Sequence, residues 1–203
     1  MMKFLIDKSP VTMQEKIESQ LVVGQLITPL TGYRNWGGVY AIDNGAFSSF
    51  KREKFLRILA RESGAIESCL FVTCPDIVGS GRRTLEIFSR RASIFSGWPV
   101  ALVVQNGVED LDIPWDEMDA MFVGGVDPWK ESKSCADLVK TAKTLGKHVH
   151  IGRVNCFKRW NYFNKLGADT CDGSGVAMYD HMLANIERQH SAEPEPVLFN
   201  KDE

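Results

Sequence analysis

Short apolar runs alternate with longer segments of helical periodicity along the whole chain. The apolar runs predict eight β-strands, which are Lys3–Ile6, Leu21–Thr28, Val39–Ile42, Cys69–Thr73, Val100–Val104, Ala120–Val123, His148–Ile151 and Ala168–Cys171. The periodic segments predict six helices, which are Thr12–Ser19, Lys51–Ser63, Arg82–Phe95, Ser132–Leu145, Phe157–Leu166 and Ala177–Gln189. No long helix is predicted between the second and third strands or between the fifth and sixth.

Strands that alternate with helices indicate an α/β protein in which parallel strands are joined by right-handed crossovers. Eight such units predict a (β/α)8 TIM-like barrel. The barrel must be compact, because this architecture usually takes about 250 residues and the chain has 203. An open parallel α/β sheet is the alternative. It would often carry a Gly-x-Gly-x-x-Gly turn, and the segment Gly79-Ser80-Gly81 lacks the third glycine.

Length and composition predict one domain with a short tail. A hydrophobic content of 44% in 203 residues is enough for one substantial core. We therefore expect a single catalytic barrel over residues 1–190. Residues 191–203 hold two prolines and four acidic residues, which predicts a flexible acidic tail.

Charge and cysteine usage restrict the class of protein. A net charge of −2 excludes a highly basic protein that coats nucleic acid, but it leaves room for a local basic face. The chain has five widely spaced cysteines and no Cys-x-x-Cys pair, which predicts reduced thiols and no metal site. The N-terminal apolar run is too short for a signal peptide, and no eighteen apolar residues are consecutive. We therefore expect no membrane association and a cytoplasmic location.

Several predicted strands end on polar residues followed by glycine. These ends are residues 43–47 (Asp-Asn-Gly-Ala-Phe), 74–76 (Cys-Pro-Asp), 105–107 (Gln-Asn-Gly), 124–127 (Gly-Gly-Val-Asp), 150–153 (His-Ile-Gly-Arg) and 172–174 (Asp-Gly-Ser). Each one alone fits a turn, and Asp172 alone fits a helix N-cap. In a parallel barrel, however, all of these ends open onto the face that holds the active site.

Converging carboxylates and amides match the edge of a flat heterocycle such as guanine. The N1–H and exocyclic amine of guanine can donate to Asp and Gln oxygens, while its O6 needs a donor such as a backbone N–H. A further carboxylate can attack the sugar carbon and hold the sugar covalently while the base departs. The aromatic side chain of Phe47, or of Tyr179, can stack on a base.

The strand ends resemble motifs of the tRNA-guanine (queuine) transglycosylases. Residues 43–47 resemble the family's Asp-Ser-Gly-Gly-Phe/Tyr, residues 104–107 its Val-Gln-Gly, residues 123–125 its Gly-Gly turn, and residues 167–172 its Gly-x-Asp-x-Phe-Asp segment. Order and spacing agree from about Val39 to Ser174. The resemblance implies that Asp172 is the nucleophile, that Asp43 is the general acid and base, and that the base is bound by Asp76, Gln105, Gly124, Gly125 and Phe47.

One departure from the family changes the expected substrate. The tRNA enzymes carry a Cys-x-Cys-x-x-Cys…His zinc subdomain after the nucleophile, and this chain has no such cluster. The chain is therefore most similar to the zinc-free DNA 7-deazaguanine transglycosylases of phages and bacteria. That similarity implies a pentosyltransferase without a cofactor, which exchanges guanine in DNA for a free 7-deazaguanine base. A protein partner or a homodimer is compatible with it.

Two alternatives remain at this point. One is an enzyme with the same site that acts on tRNA or a nucleoside, and the other is a catalytically silent base-binding partner subunit. The presence of both Asp43 and Asp172 favours an active enzyme. If the substrate is a polynucleotide, its phosphates need cations near the strand ends, and the candidates are Arg82, Arg83, Arg153, Lys158 and Arg159.

Overall fold

The computed structural model describes residues 1–7, 21–173, 184–186 and 188. It contains a closed barrel of eight parallel strands in sequential order. The strands are β1 (Lys3–Ile6), β2 (Val22–Ile27), β3 (Tyr40–Ile42), β4 (Cys69–Thr73), β5 (Val100–Val104), β6 (Ala120–Val123), β7 (His148–Ile151) and β8 (Thr170–Cys171). The barrel prediction is confirmed, and the open sheet is excluded.

Closure depends on the pairing of the first strand with the last. Lys3 pairs with Thr170 and Phe4 with Cys171, in parallel register. β8 is shorter than its predicted span of Ala168–Cys171, because its first two residues precede the paired region. The Asp169 backbone nevertheless continues the ladder, since its carbonyl accepts from the Lys3 amide at 3.0 Å.

Four α-helices cover the outside of the described barrel, namely α1 (Arg52–Glu62), α2 (Gly81–Arg91), α3 (Lys133–Thr144) and α4 (Phe157–Lys165). The predicted helix Arg82–Phe95 is divided, because a 3-10 turn replaces the α-helix over Ala92–Phe95. The predicted helices Thr12–Ser19 and Ala177–Gln189 lie outside the described residues, except for part of the second. Tyr179 and the tail at 191–203 also lie outside them.

Among the crossovers that the structure describes, two have no α-helix, which shortens the chain needed for the barrel. Residues 28–39 connect β2 to β3 as an irregular segment, and two 3-10 turns, Val108–Asp110 and Trp115–Glu117, connect β5 to β6. Large side chains fill the space that helices would occupy. Trp36 and Trp115 pack against the outer core, so these short connections still cover part of the barrel wall with apolar surface.

Two apolar layers result from the alternation of side chains along the strands. A small cluster fills the inside of the barrel and includes Leu5, Leu26, Phe71, Val103 and Phe122. A larger cluster lies between the barrel and the helices. In the described part of the chain, every helix is too short or too polar to span a bilayer.

Candidate active site

The C-terminal ends of the strands surround a cavity of about 310 Å³. Its floor is apolar and is made by Leu5, Leu26, Val103 and Phe122. Most of the predicted site residues line its wall, namely Asp43, Phe47, Asp76, Gln105, Gly124, Arg153 and Asp172. The structure therefore brings together polar groups from six strand ends that are up to 129 residues apart in the sequence (172 − 43).

Two of the carboxylates are held by the ends of the sheet ladder. The Asp43 amide donates to the Ile27 carbonyl at 2.9 Å, and the Asp172 amide donates to the Ile151 carbonyl at 3.1 Å. Each aspartate therefore extends its strand by one residue before the chain turns away. Side chains on such rigid backbone positions keep a defined direction toward the cavity.

Asp76 is held by two side-chain amides. Asn44 Nδ2 donates to Asp76 Oδ1 at 2.9 Å, and Gln105 Nε2 donates to Asp76 Oδ2 at 2.7 Å. Gln105 is fixed in turn, because its Oε1 accepts from the Gly79 amide at 2.9 Å. Each Asp76 oxygen keeps a second lone pair, and Gln105 Nε2 keeps a second hydrogen for a ligand.

Asn44 helps to hold the Asp76 side chain in place. Its side chain is buried. Its Nδ2 also donates to the Cys74 carbonyl at 3.0 Å, and its Oδ1 accepts from the Ala46 amide at 2.7 Å. From sequence, Asn44 is part of an ordinary Asp-Asn-Gly turn. The structure shows that it links the ends of β3 and β4, a role with no local signal.

Among the described residues, Asp43 has no side-chain amide as a hydrogen-bonding partner, unlike Asp76. Its side chain accepts from the Thr73 hydroxyl at 3.3 Å and from the Gly45 backbone amide. Burial, followed by repulsion from the Asp172 and Asp76 carboxylates, raises the pKa of Asp43 to about 7. Burial also raises the pKa of Asp76, but there the amides of Asn44 and Gln105 oppose the rise. Asp43 is therefore the carboxyl that can both hold and release a proton near neutral pH.

Asp172 presents its two oxygens differently. Oδ1 faces His150 Nε2 at 3.1 Å and accepts from the Arg153 amide, also at 3.1 Å. Among the described residues, Oδ2 has no hydrogen-bond partner. Asp172 thus has one anchored oxygen, while the other is available to a ligand in the cavity.

Arg153 belongs to the cavity wall. Its backbone adopts a left-handed conformation with φ of 60°, which is unusual for a residue with a side chain. Its guanidinium donates to the carbonyls of Gly124 and Gly125 at 3.1 and 3.0 Å. The same guanidinium lies 4.0 Å from the centroid of the Phe47 ring, and Phe47 is 59% exposed. Arg153 and Phe47 therefore form an edge of the opening.

The Gly-Gly turn after β6 makes room for Gln105. A Cβ atom on Gly124 would lie 2.7 Å from Gln105 Nε2, and one on Gly125 would lie 2.2 Å from the Trp129 ring. The amides of Gly124 and Gly125 both donate to the Val104 carbonyl, at 3.0 and 3.1 Å. Neither glycine amide is therefore free to donate to a ligand, and the second hydrogen of Gln105 Nε2 is a donor available in its place.

The other predicted cations lie outside the cavity lining. Arg159 is paired with Asp127 at 2.9 Å and with Glu131 at 3.0 Å. Arg82, Arg83 and Lys158 are exposed. Arg82 and Arg83 begin α2, close in sequence to the lining residue Val78.

Sequence reasoning missed the polar residues beneath Asp172. His148 and Thr170 are predicted only as strand residues, and His150 only as part of the polar strand end at 150–153, with no role of its own. In the structure His150 is fully buried and contacts Asp172. The available signal was strand parity, because polar residues two positions apart on β7 and β8 face the same side. Within the described residues, no group of three or more His, Cys, Asp or Glu side chains is arranged to hold a metal ion.

Neither a protein-family model nor a curated protein sequence matches the chain. What the cavity can do therefore has to be inferred from its own side chains. It combines an anchored carboxylate with one open oxygen, a carboxyl that titrates near neutral pH, and a fixed carboxylate–amide pair.

Proposed function

We propose that the chain is a DNA guanine transglycosylase, which exchanges guanine for a 7-deazaguanine base through a covalent aspartyl-sugar intermediate. One observation carries the proposal: the hydrogen bonds to the three cavity carboxylates are unequal. Asp172 has an anchored and an open oxygen, Asp76 is paired with amides, and Asp43 has a pKa of about 7. Nucleophile, base-binding group and proton carrier are thereby assigned to different side chains.

The fixed pair of Asp76 and Gln105 supports recognition of a guanine-like edge. The free lone pairs of Asp76 can accept from the N1–H and exocyclic amine of the base, and the spare hydrogen of Gln105 Nε2 can reach O6. Because both side chains are already held in place by hydrogen bonds, binding costs little side-chain ordering. The apolar floor and Phe47 supply surfaces on which a flat base can stack.

The chemistry proceeds in two displacements. In the first, Asp172 Oδ2 attacks the sugar C1′, the C1′–N9 bond breaks, and the proton of Asp43 passes to the departing guanine. In the second, ionised Asp43 takes the N9 proton of the incoming 7-deazaguanine. That nitrogen then attacks C1′ and displaces Asp172. Asp43 ends each cycle protonated as it began, so no outside acid or base is consumed.

The size and rim of the cavity support a polynucleotide from which one nucleotide is extruded. About 310 Å³ is at the lower end of the usual range for ligand sites, which suits a base with its sugar. The apolar side chains of Leu30, Phe47 and Val78 line the cavity and are exposed. Such groups can replace the stacking that an extruded base loses.

The test is incubation with a labelled 7-deazaguanine and, in parallel, duplex DNA, single-stranded DNA and tRNA, followed by nucleoside mass analysis. We expect the label in DNA. Label in tRNA or in a free nucleoside alone would replace the DNA assignment with the alternative substrate. Base binding without any exchange would make the chain a silent base-binding subunit.

Variants of the two aspartates separate chemistry from binding. Asp172→Asn is expected to abolish guanine release and the covalent adduct on denaturing gels, with DNA affinity retained. Asp43→Asn is expected to slow exchange by about a hundredfold or more, because a proton-transfer group is lost. The control is Asp116→Asn, an exposed carboxylate outside the cavity lining. An adduct formed by Asp172→Asn would refute the nucleophile assignment.

A further inference from the structure

A line of four polar side chains runs inside the barrel on β7 and β8 and ends at the cavity. His150 pairs with Thr170 in the register of the two strands. His148 lies two residues before His150, and Asp172 lies two residues after Thr170, so all four side chains face the same side of the sheet. The line therefore leads from the barrel interior to the Asp172 carboxylate.

The four side chains are connected by hydrogen bonds of normal length. His148 Nε2 lies 2.8 Å from Thr170 Oγ1, and Thr170 Oγ1 lies 2.9 Å from His150 Nδ1. His150 Nε2 lies 3.1 Å from Asp172 Oδ1. Both nitrogens of His150 are thus engaged, one by the hydroxyl and one by the carboxylate.

The surroundings of His150 keep its ring neutral. The ring is fully buried, and its centroid lies 5.0 Å from that of Phe71 and 4.7 Å from that of Phe122. Burial lowers the pKa of His150, although Asp172 acts against that shift. A neutral imidazole has one N–H and one bare nitrogen, so the direction of every hydrogen in the line is determined by its end.

The carboxylate of Asp172, which is ionised when it acts as the proposed nucleophile, sets that direction. It can only accept, so Nε2 of His150 must carry the hydrogen and Nδ1 must accept. Thr170 is the group that faces Nδ1, and its hydroxyl must therefore donate to His150. That leaves Thr170 Oγ1 to accept from His148 Nε2. In this arrangement every donor of the line faces one acceptor.

We propose that His150 is a positioning residue for Asp172, and that His148 and Thr170 lock its ring in the Nε2–H tautomer. The locked ring holds Asp172 Oδ1 and thereby leaves Oδ2 directed at the sugar carbon. This inference rests on the proposed function, because it assigns a purpose to the orientation of the nucleophile.

The diagnostic change is Thr170→Val, which removes the hydroxyl and leaves the volume and Asp172 untouched. Nδ1 of His150 then has no donor, and the ring is free to change tautomer or turn. We expect the rate of covalent adduct formation to fall about tenfold, because the His150 N–H that holds the Asp172 carboxylate is no longer fixed in place. DNA affinity should stay within about twofold of wild type. Thr170→Ser is the matched control and should remain near wild type.

Two substitutions at His150 distinguish positioning from packing. His150→Gln places an amide that can still donate to Asp172, and His150→Phe keeps a buried ring without a donor. We expect His150→Gln to retain more of the rate of adduct formation than His150→Phe. Thermal stability is measured for both variants to confirm that they are folded. Equal rates for the two variants, or a wild-type rate in folded Thr170→Val, would overturn the proposal.

A measurement that does not depend on activity tests the tautomer itself. Nitrogen-15 NMR of histidine-labelled protein should show His150 as the Nε2–H form in wild type and in Thr170→Ser, with this pattern lost in Thr170→Val. An Nδ1–H form in wild type would overturn the inference even if the enzyme is a transglycosylase. The expected NMR pattern together with no exchange of the labelled base into DNA, tRNA or nucleoside would instead overturn the proposed function, while the tautomer assignment would stand.

Discussion

At the scale of single residues, hydrogen bonding distributes different roles among identical side chains. Asp43, Asp76 and Asp172 line one cavity, and their charges repel. Two side-chain amides donate to Asp76, and the Arg153 amide donates to Asp172, while Asp43 has the Thr73 hydroxyl at 3.3 Å and the Gly45 amide. Burial and the two neighbouring carboxylates raise the pKa of Asp43 to about 7 in spite of these two hydrogen bonds.

The raised pKa of Asp43 makes a prediction about stability. In the unfolded chain this group ionises near its ordinary value of 3.8, whereas in the folded protein its pKa is about 7. Between these values the folded state binds more protons, so stability falls as pH rises through this window. Asp43→Asn cannot ionise. We therefore expect its melting temperature to exceed that of wild type by a margin that is small near pH 4 and largest above pH 7.

Thermal melts at several pH values check this expectation. The control is Asp116→Asn, whose difference from wild type should stay constant from pH 5 to 8. A margin for Asp43→Asn that shrinks as the pH rises would show that the Asp43 carboxyl is ionised in the folded protein well below neutral pH.

At the scale of elements, the turns after the strands determine the geometry of the site as much as the strands do. The turn after β6 is made of glycines because Gln105 crosses it, and a Cβ on Gly124 would lie 2.5 Å from Val103 Cγ1 and 2.7 Å from Gln105 Nε2. The turn after β7 carries Arg153, whose left-handed backbone directs its amide at Asp172. These turns decide where the groups on neighbouring strands can lie.

Gly124→Ala tests whether the turn after β6 determines the position of Gln105. The added methyl group must displace Val103 and Gln105, which weakens the hydrogen bond from Gln105 to Asp76 and, under the proposed function, disturbs the edge that binds the base. We expect the KM for free 7-deazaguanine to rise about tenfold, as for the loss of one or two hydrogen bonds. Gly64→Ala is the control, because a Cβ there meets no atom within 4 Å. An unchanged KM for Gly124→Ala would exclude Gln105 from base binding.

At the scale of the molecule, charge is unevenly spread around the barrel. Residues 105–131, which connect β5, β6 and α3, hold eight carboxylates and one lysine. Under the proposed function, the carboxylates of this segment that follow the C-terminal strand ends would repel the phosphates of a bound polynucleotide. Arg159 is neutralised there by Asp127 and Glu131, so the exposed cations Arg82, Arg83 and Lys158 are the better candidates for binding phosphates.

Charge reversal at Arg82 and Arg83 is expected to weaken DNA binding at all sequences alike. The slope of log K against log salt should become shallower by about 0.9 for each phosphate that the protein no longer neutralises. The matched control reverses Lys133 and Lys140, which lie on the exposed face of α3 and pair with Asp137. Equal slopes for the two double variants and wild type would exclude Arg82 and Arg83 from the DNA interface.

Much of this molecule follows from the sequence alone. Apolar runs of strand length and segments of helical period determine the repeating strand–helix units, because each side of a strand or helix must match its surroundings. The number and order of the strands were predicted correctly, as was the occurrence of polar residues at their C-terminal ends. Lining residues such as Asp43 and Gln105 could be named because parallel strands carry all such ends to one face.

Tertiary structure decided how those residues differ from one another. Whether a carboxylate meets an amide, a hydroxyl or an imidazole depends on the register of strands that are distant in the chain. Asn44 reaches Asp76, and His150 reaches Asp172, through pairings that no local pattern encodes. Hydrogen bonding and burial act over a few ångströms. The different roles of the site residues therefore depend on the contacts that the closed barrel creates.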